Sequence, residues 1–382
     1  MVEGAIERVA AASRAVGARG PTRWYSAPGR VNLMGDHTDH EEGFVLPAAI
    51  DRACVVVARP LDERVRVRSL DLPGHVDLPS SGAEEPTAVE PAWGRSVAGV
   101  IRELRDAGRE PIGADIVLAS DVPLGAGLSS SAALEVAVAL ALCDAAGFEM
   151  ERSALALACQ RAEFVATGVP CGVMDPMISL AGVEGAAILI DCRSLSTRAV
   201  PIPDALAILV VHSGVSRVLA DGNYGERRAA FAAASDRLGV SALRDATPAD
   251  AADDPVARHV VSENARVLAT VEALMSDDRP AIGRLFAQSQ ASLSEDARVS
   301  TPELDVLTRA LVDAGCVGAR MTGAGFGGCA VALCERDRLQ PVADRALAIY
   351  RARTGLSAWA FACRPSVGGG RMEAPRPNSS LE

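Results

Sequence analysis

Asp121-Val122-Pro123-Leu124-Gly125-Ala126-Gly127-Leu128-Ser129-Ser130-Ser131-Ala132-Ala133 is a glycine turn that runs into three hydroxyls and then into a helix-forming segment, Ala132 to Ala146. A helix that starts this way presents unpaired backbone N–H groups and the positive end of its dipole. That combination is an anion site, and polyphosphate is the anion such loops commonly take. The glycines let backbone come close to phosphate, and the serines supply hydroxyls for the phosphate or for a magnesium ion. Taken alone, the stretch also suits a serine-capped loop ahead of a core helix, so the rest of the chain has to decide.

Composition removes two rivals. The chain has no lysine, so all 38 basic side chains are arginine. A Walker loop needs its G-K-[ST] lysine and a protein kinase needs its strand lysine, which excludes both. If phosphate is moved here, its charge is met by magnesium, arginine and helix dipole. Over 382 residues the formal net charge is −11, which argues against nucleic acid or an anionic membrane as the main partner. The length favours two domains. Nine cysteines, with no C-x-x-C pair, fit buried thiols in a reducing cytoplasm better than a disulfide framework. The N-terminus lacks a basic, then apolar, signal pattern, and the apolar run Val136 to Cys143 is too short to span a membrane. Nothing in the sequence sets the oligomeric state, and a monomer is the simplest expectation.

The pattern of elements is mixed α and β in both halves. Val2 to Val16, Ser96 to Ala107, Ala154 to Val165 and Tyr224 to Leu238 predict helices. So do Glu263 to Met275, Ala281 to Leu293, Pro302 to Ala314 and Ala343 to Thr354. Tyr25 to Leu33, Cys54 to Ala58, Ala114 to Leu118, Ala186 to Asp191 and Ala207 to His212 predict strands. Arg64 to Ser69 alternates arginine with valine and continues the β character. A domain change is expected between Ser194 and Pro203, giving units 1–196 and 197–365. The Gly/Pro/Ser-rich residues 366–382 predict a disordered tail.

Three further segments carry chemistry. Ala27-Pro28-Gly29-Arg30-Val31-Asn32-Leu33-Met34-Gly35-Asp36-His37-Thr38-Asp39-His40 packs acceptors and donors suited to sugar hydroxyls. Its His37-x-x-His40 spacing also admits zinc, although no further ligand set accompanies it. Arg161-Ala162-Glu163 places a carboxylate on a mostly apolar helix. There it either faces a cation such as magnesium or lies on an exposed edge. Asp175 follows a turn built from Gly168, Pro170 and Gly172, either as a helix cap or as a reactive carboxylate. Finally, Gly323, Gly325 and Gly328 match G-x-G-x-x-G, but Cys329 to Leu333 after them reads as a strand. A dinucleotide fold needs a helix there, so a turn between two strands is expected instead.

In these motifs the chain resembles the galactokinases of the GHMP small-molecule kinase family. The resemblance rests on Gly29 to Asp39, on Pro123 to Ala132 and on Thr322-Gly323-Ala324-Gly325-Phe326-Gly327-Gly328. Gly168 to Asp175, Leu189 to Leu195 and Pro302 to Asp305 add to it. It implies an α+β, two-domain GHMP kinase fold: an N-terminal ribosomal protein S5 domain 2-like unit and a C-terminal ferredoxin-like unit. It implies ATP-dependent phosphorylation of the C1 hydroxyl of galactose, with ATP and Mg2+ as cofactors and a small sugar as partner. By position, Asp36, His37, Thr38, Asp39, Gly172 and Tyr224 would bind the sugar. Asp175 would accept the hydroxyl proton, with Arg30 beside it at the transferring phosphoryl. Gly125, Ala126, Gly127, Leu128, Ser129, Ser130 and Ser131 would wrap the phosphates, and Ser131 and Glu163 would hold Mg2+. A loose transition state asks little early proton removal, so Asp175 would serve either as base or chiefly to orient the hydroxyl.

Several positions depart from the family pattern, many of them near the expected sugar site. Asp36 stands where glutamate is usual, His40 and Glu41 replace a Tyr-Asn pair, and Pro176 replaces glutamine. Phe326 replaces tryptophan, and Ala297 replaces tyrosine. Alternatives to galactose phosphorylation are therefore a GHMP kinase for an N-acetylhexosamine or L-arabinose, or a non-catalytic sugar sensor. Retention of Arg30, Ser131, Glu163 and Asp175 speaks for catalysis.

Overall fold

The computed structural model describes residues 2–15, 22–215 and 221–375. Helix α1 (Val2–Ala15) leads into strand β1 (Arg23–Asn32), which is buried throughout from Ala27 to Asn32. Then follow β2 (Phe44–Val45), β3 (Pro47–Leu61), β4 (Arg64–Ser69), β5 (His75–Pro79), α2 (Gly94–Asp106) and β6 (Gly113–Ser120). Strands β1, β3, β6, β4 and β5 lie side by side in that order, antiparallel except for the parallel pair β4–β6. In β4 each valine is buried and each arginine exposed, as period-2 alternation requires of a half-covered strand. Helix α3 (Ser130–Ala145) is apolar on nearly all sides and packs on β1 and β3. Around it lie α2, α4 (Arg152–Thr167) and α5 (Met174–Ala181), which explains why it carries no polar face. Strands β7 (Ala186–Asp191) and β8 (Thr197–Pro201) form a hairpin that β2 extends.

The second half opens with β9 (Leu206–His212) and α6 (Asp221–Leu238). Three helices follow: α7 (Pro255–Met275), α8 (Arg279–Glu295) and α9 (Pro302–Ala314). Each starts with an oxygen-bearing cap and an early proline. Asp254 accepts from the N–H groups of Val256 and Ala257, Asp278 from Ala281, and Thr301 from Leu304. Proline loses nothing at a position whose N–H is unpaired anyway. Strands β10 (Gly318–Met321) and β11 (Cys329–Glu335), helix α10 (Leu339–Thr354) and strand β12 (Trp359–Cys363) complete this half. Its sheet runs β10-β11-β9-β12, all antiparallel. The glycine turn thus joins two paired strands, and the expectation of no dinucleotide fold holds.

The largest core cluster is continuous across both halves. It includes Leu33, Met34, Val45 and Leu46 together with Val267, Phe286, Cys329 and Val331. The prediction of a disordered tail is corrected at its start. The last strand, β13 (Gly370–Met372), pairs with β1 through Trp24, Tyr25 and Ser26, because β1 would otherwise leave an open sheet edge. Residues 376–382 lie outside the described residues. A boundary at 196 would cut the β7–β8 hairpin, so we place the change of unit after Pro201. Among the described residues no helix is long and apolar enough to cross a membrane.

Candidate active site

The position of Arg30 is set by backbone. The β1–β3 register shifts between Pro28 and Arg30, and such a bulge re-aims the next side chain. A Cβ on Gly29 would stand 2.6 Å from the Leu128 carbonyl oxygen. Only glycine lets the serine loop lie this close, and the Arg30 N–H donates to that carbonyl at 3.0 Å. The guanidinium then forks onto Asp175, Nε to Oδ1 at 2.8 Å and Nη2 to Oδ2 at 2.9 Å, while Nη1 donates to the Gly127 carbonyl at 2.6 Å. Asp175 sits in the first turn of α5, where the dipole favours a carboxylate. Ser129 also donates to Asp175. Its φ of +59° is a strained value for a residue with a side chain, and it is stored here at the junction of loop and helix. Arg30 is almost fully buried, but the Asp175 side chain keeps 27% of its surface open to the cleft.

On the opposite wall Ser131 Oγ donates to Glu163 Oε1 at 2.9 Å, and Cys171 Sγ lies 3.5 Å from Oε2. Burial, then the charge of Asp175, raise the Glu163 carboxyl above its ordinary range. Among the described residues no three His, Cys, Asp or Glu side chains are grouped to cage a metal. Magnesium, however, commonly takes one or two carboxylates and completes its shell with water and substrate phosphate. A hydroxyl and a carboxylate beside an anion loop fit that requirement. One turn along α3, Glu135 is 1% exposed with Oε1 unpartnered, and burial pushes it well above the usual carboxyl range. Sequence reading overlooked it, although a glutamate four residues past Ser131 in an apolar helix was a visible signal.

Asp36, His37, Asp39 and Gly172 line the other end of the same cleft, whose volume is about 440 Å³. A Cβ on Gly172 would fall 1.8 Å from Asp39 Oδ2, so glycine is what admits the carboxylate. Asp36 is held from the second half of the chain. It accepts from the Gly323 N–H at 3.0 Å and ion-pairs with the fully buried Arg320 at 2.7 Å. Arg320 also faces Glu263 at 3.3 Å. Glu263 accepts in addition from the Gly35 N–H, Ser289 and Arg266. Burial pushes Asp36 up to about 6 despite Arg320. Burial also works against Glu263, but Arg320, Arg266, His259 and the Ser289 hydrogen bond together hold that group at about 2. Neither Glu263 nor the role of Arg320 was foreseen.

Some expected site residues do other work. Thr38 is a correction: its hydroxyl donates to the Gly35 and Phe44 carbonyls at 2.8 and 2.7 Å and it is fully buried, so it shapes the loop from behind. The Ala126 side chain is in the core, leaving only its backbone to the loop. The side chain of Tyr224 lies outside the described residues. For the zinc alternative, no third ligand joins His37 and His40 among the described residues. His37 Nε2 contacts the Ala324 carbonyl at 3.1 Å and its ring stacks on Phe231, while the His40 ring meets Phe231 edge-on and its Nδ1 faces Glu41. Beyond Ser130 a second cavity of about 400 Å³, lined by Ser69, Leu72, Leu118, Val122 and Leu134, continues from the serine loop. No motif had announced it.

Known proteins share both the fold and the site's motifs. Residues 13–60 match the family described as Galactokinase galactose-binding signature, residues 95–183 the GHMP kinases N terminal domain, and residues 270–352 the GHMP kinases C terminal. A galactokinase from Roseiflexus sp. is 46% identical over 92% of this chain and 93% of its own length. The chain belongs to the galactokinase family. A second galactokinase, from Chloroflexus aurantiacus, is 43% identical over 91% of this chain and 93% of its own. The structure of Lactococcus lactis galactokinase complexed with galactose superposes with a TM-score of 0.89 at 30% identity, covering 96% of this chain and 98% of that one. Mevalonate kinase from Methanococcus jannaschii, at 18% identity and a TM-score of 0.65 over 91% and 100% of the two chains, shares the fold alone. As a galactokinase-family member the protein is a kinase, with the two-domain GHMP fold expected from its motifs.

Proposed function

We propose that the protein transfers the γ-phosphoryl group of ATP to the C1 hydroxyl of D-galactose, giving galactose 1-phosphate and ADP. The observation that carries this reading is the Arg30 fork on Asp175, which stands in one cleft between the Ser131–Glu163 pair and the Asp36–Asp39 segment. In this reading the Gly125–Ser131 backbone receives the phosphates and the cavity beyond Ser130 takes the apolar end of the nucleotide. Asp36, His37 and Asp39 hold the sugar hydroxyls. Mg2+, held by Ser131 and Glu163, would neutralise phosphate charge. Asp175 turns its open face to the C1 hydroxyl, orients its lone pair in line with the phosphorus and takes up its proton. Arg30, fixed by Asp175 and the Gly127 carbonyl, meets the charge that spreads over the transferring group. Such transfer needs alignment and charge neutralisation more than a strong base. No helix crosses a membrane among the described residues and, apart from Cys171, the cysteines are buried, which supports a cytoplasmic setting.

The test is ADP release by purified protein with MgATP across a panel of sugars, with Asp175→Ala as control. Turnover on galactose that is lost in the control is the expected result. Turnover on another sugar alone would move the substrate, and ATP binding without turnover would turn the reading toward a sensor.

A further inference from the structure

We propose that Cys316 and Cys334 are a modification site: they close into a reversible disulfide on exchange with a low-molecular-weight disulfide, and this clamps the base of the β10–β11 hairpin. Their sulfurs stand 2.8 Å apart, and a disulfide bond of about 2.05 Å needs less than about 1 Å of further approach.

The backbone is already in register for it. Gly318 lies opposite Leu333, yet the Leu333 carbonyl also accepts the Val317 N–H at 2.8 Å. One residue on β11 therefore serves two on the other strand, as at a bulge. Cys316 lies just ahead of β10 and Cys334 one residue past Leu333 in β11, so the two stand at the same end of the hairpin, beside the Val317–Leu333 bond. Both side chains sit in an apolar cluster with Ala314, Ala319, Ala332 and Val342, which offers neither sulfur a competing charged partner.

The two cysteines differ in access. Cys316 is 7% exposed and Cys334 fully buried, so Cys316 is the entry point. Its thiolate attacks one sulfur of the small disulfide, the S–S bond breaks, and one small thiol leaves. Cys334, after losing its proton, attacks the mixed disulfide at Cys316 and releases the second small thiol. Two protein thiols are oxidised and one small disulfide is reduced to two thiols. The hydrogen bond to Cys334 and burial hold the Cys316 thiol well above the ordinary thiol range. Exchange is therefore slow at neutral pH and faster in alkali.

The bond would close an 18-residue separation that contains Arg320 and the whole Thr322–Gly328 turn. It lies at the hairpin end away from that turn, so it tethers the strands without entering the cleft. Oxidation stabilises the fold and leaves turnover within about twofold.

To test this, reduced full-length protein is incubated with oxidised glutathione at mildly alkaline pH, alkylated after denaturation and mapped without reduction. The expected result is a fall from nine alkylated cysteines to seven and a peptide pair linking Cys316 to Cys334. The Tm should rise by about 5 °C, as for a loop of this size, and the rise should reverse with dithiothreitol and be absent in Cys334→Ser. If that variant does not fold, Cys316→Ala serves the same comparison. Nine alkylated cysteines after exposure, or a link to any other cysteine, would overturn the proposal. So would loss of turnover in step with the Cys316–Cys334 link while Cys171 still alkylates.

Discussion

The end of the cleft proposed to take phosphate is assembled within one unit, from β1, the serine loop, α4 and α5, whereas the end proposed to take the sugar depends on groups delivered from the other unit. Arg30, Ser129, Ser131, Glu163 and Asp175 all precede residue 200; Arg30 and Ser129 bond Asp175, and Ser131 bonds Glu163. Asp36, by contrast, is fixed by Arg320 and Gly323, and the Gly35 N–H by Glu263. A site built this way can keep its transfer chemistry while its sugar end is adjusted through distant side chains. Asp36 shows how: its carboxylate is met by Arg320 and the Gly323 N–H, both from the second half of the chain.

If the comparison is right, changes on the phosphate side act on kcat and changes on the sugar side act on KM for sugar and on stability. The largest effect is expected from Asp175→Ala, a fall of about 10³-fold in kcat with ATP binding intact, read from ADP release and nucleotide titration. Substantial remaining turnover would break the comparison at its strongest point. Next is Glu263→Gln, which leaves the buried Arg320 with one carboxylate. Breaking a buried pair costs about 3–5 kcal/mol, seen as a lower denaturant midpoint, and KM for galactose should rise while KM for ATP stays. Because Glu263 is held at about 2, below its ordinary 4.5, it contributes stability above pH 4.5 that is lost as pH falls toward 2. The variant should therefore flatten the acid limb of the Tm profile in that window.

Smaller again is Glu163→Gln, which should raise the half-saturating Mg2+ concentration about tenfold without moving KM for galactose. The smallest effect sharpens the sugar side. Asp36 is raised from 3.8 to about 6, so its contribution is full below pH 3.8 and lost as pH rises through 6. Asp36→Asn should remove that slope, a change of a few degrees in Tm between about pH 4 and 6, and a slope that persists would place the titration elsewhere.

The legibility of the chain follows the same division. The Arg/Val alternation of β4, the serine loop and the strand after Gly328 announced themselves because each depends on neighbours in sequence. Helix α5 was read only as far as a cap at Asp175, because Met174–Ala181 is only eight residues long, too short to show a period, and it carries Pro176. β13 is a Gly-Arg-Met segment that becomes a strand only because β1 offers it an edge. The Gly35–Glu263 bond spans 228 residues and the Arg320–Glu263 pair 57, and no local pattern encodes partners so far apart. Thr38 misled for the opposite reason. It lies inside a polar motif, and only three dimensions show its hydroxyl turned to carbonyls behind the cleft.

The return of β13 to β1 also bears on how the protein is made. The strand that carries Arg30 leaves the ribosome long before its sheet neighbour Gly370–Met372 does. Until that neighbour is made, this edge of β1 waits with unpaired backbone groups, and Arg320 reaches Asp36, and Glu263 the Gly35 N–H, late as well. The nascent chain is thus long exposed at the edge of the strand that bears Arg30, and the Asp36 carboxylate meets its partners only once the second half of the chain has been made.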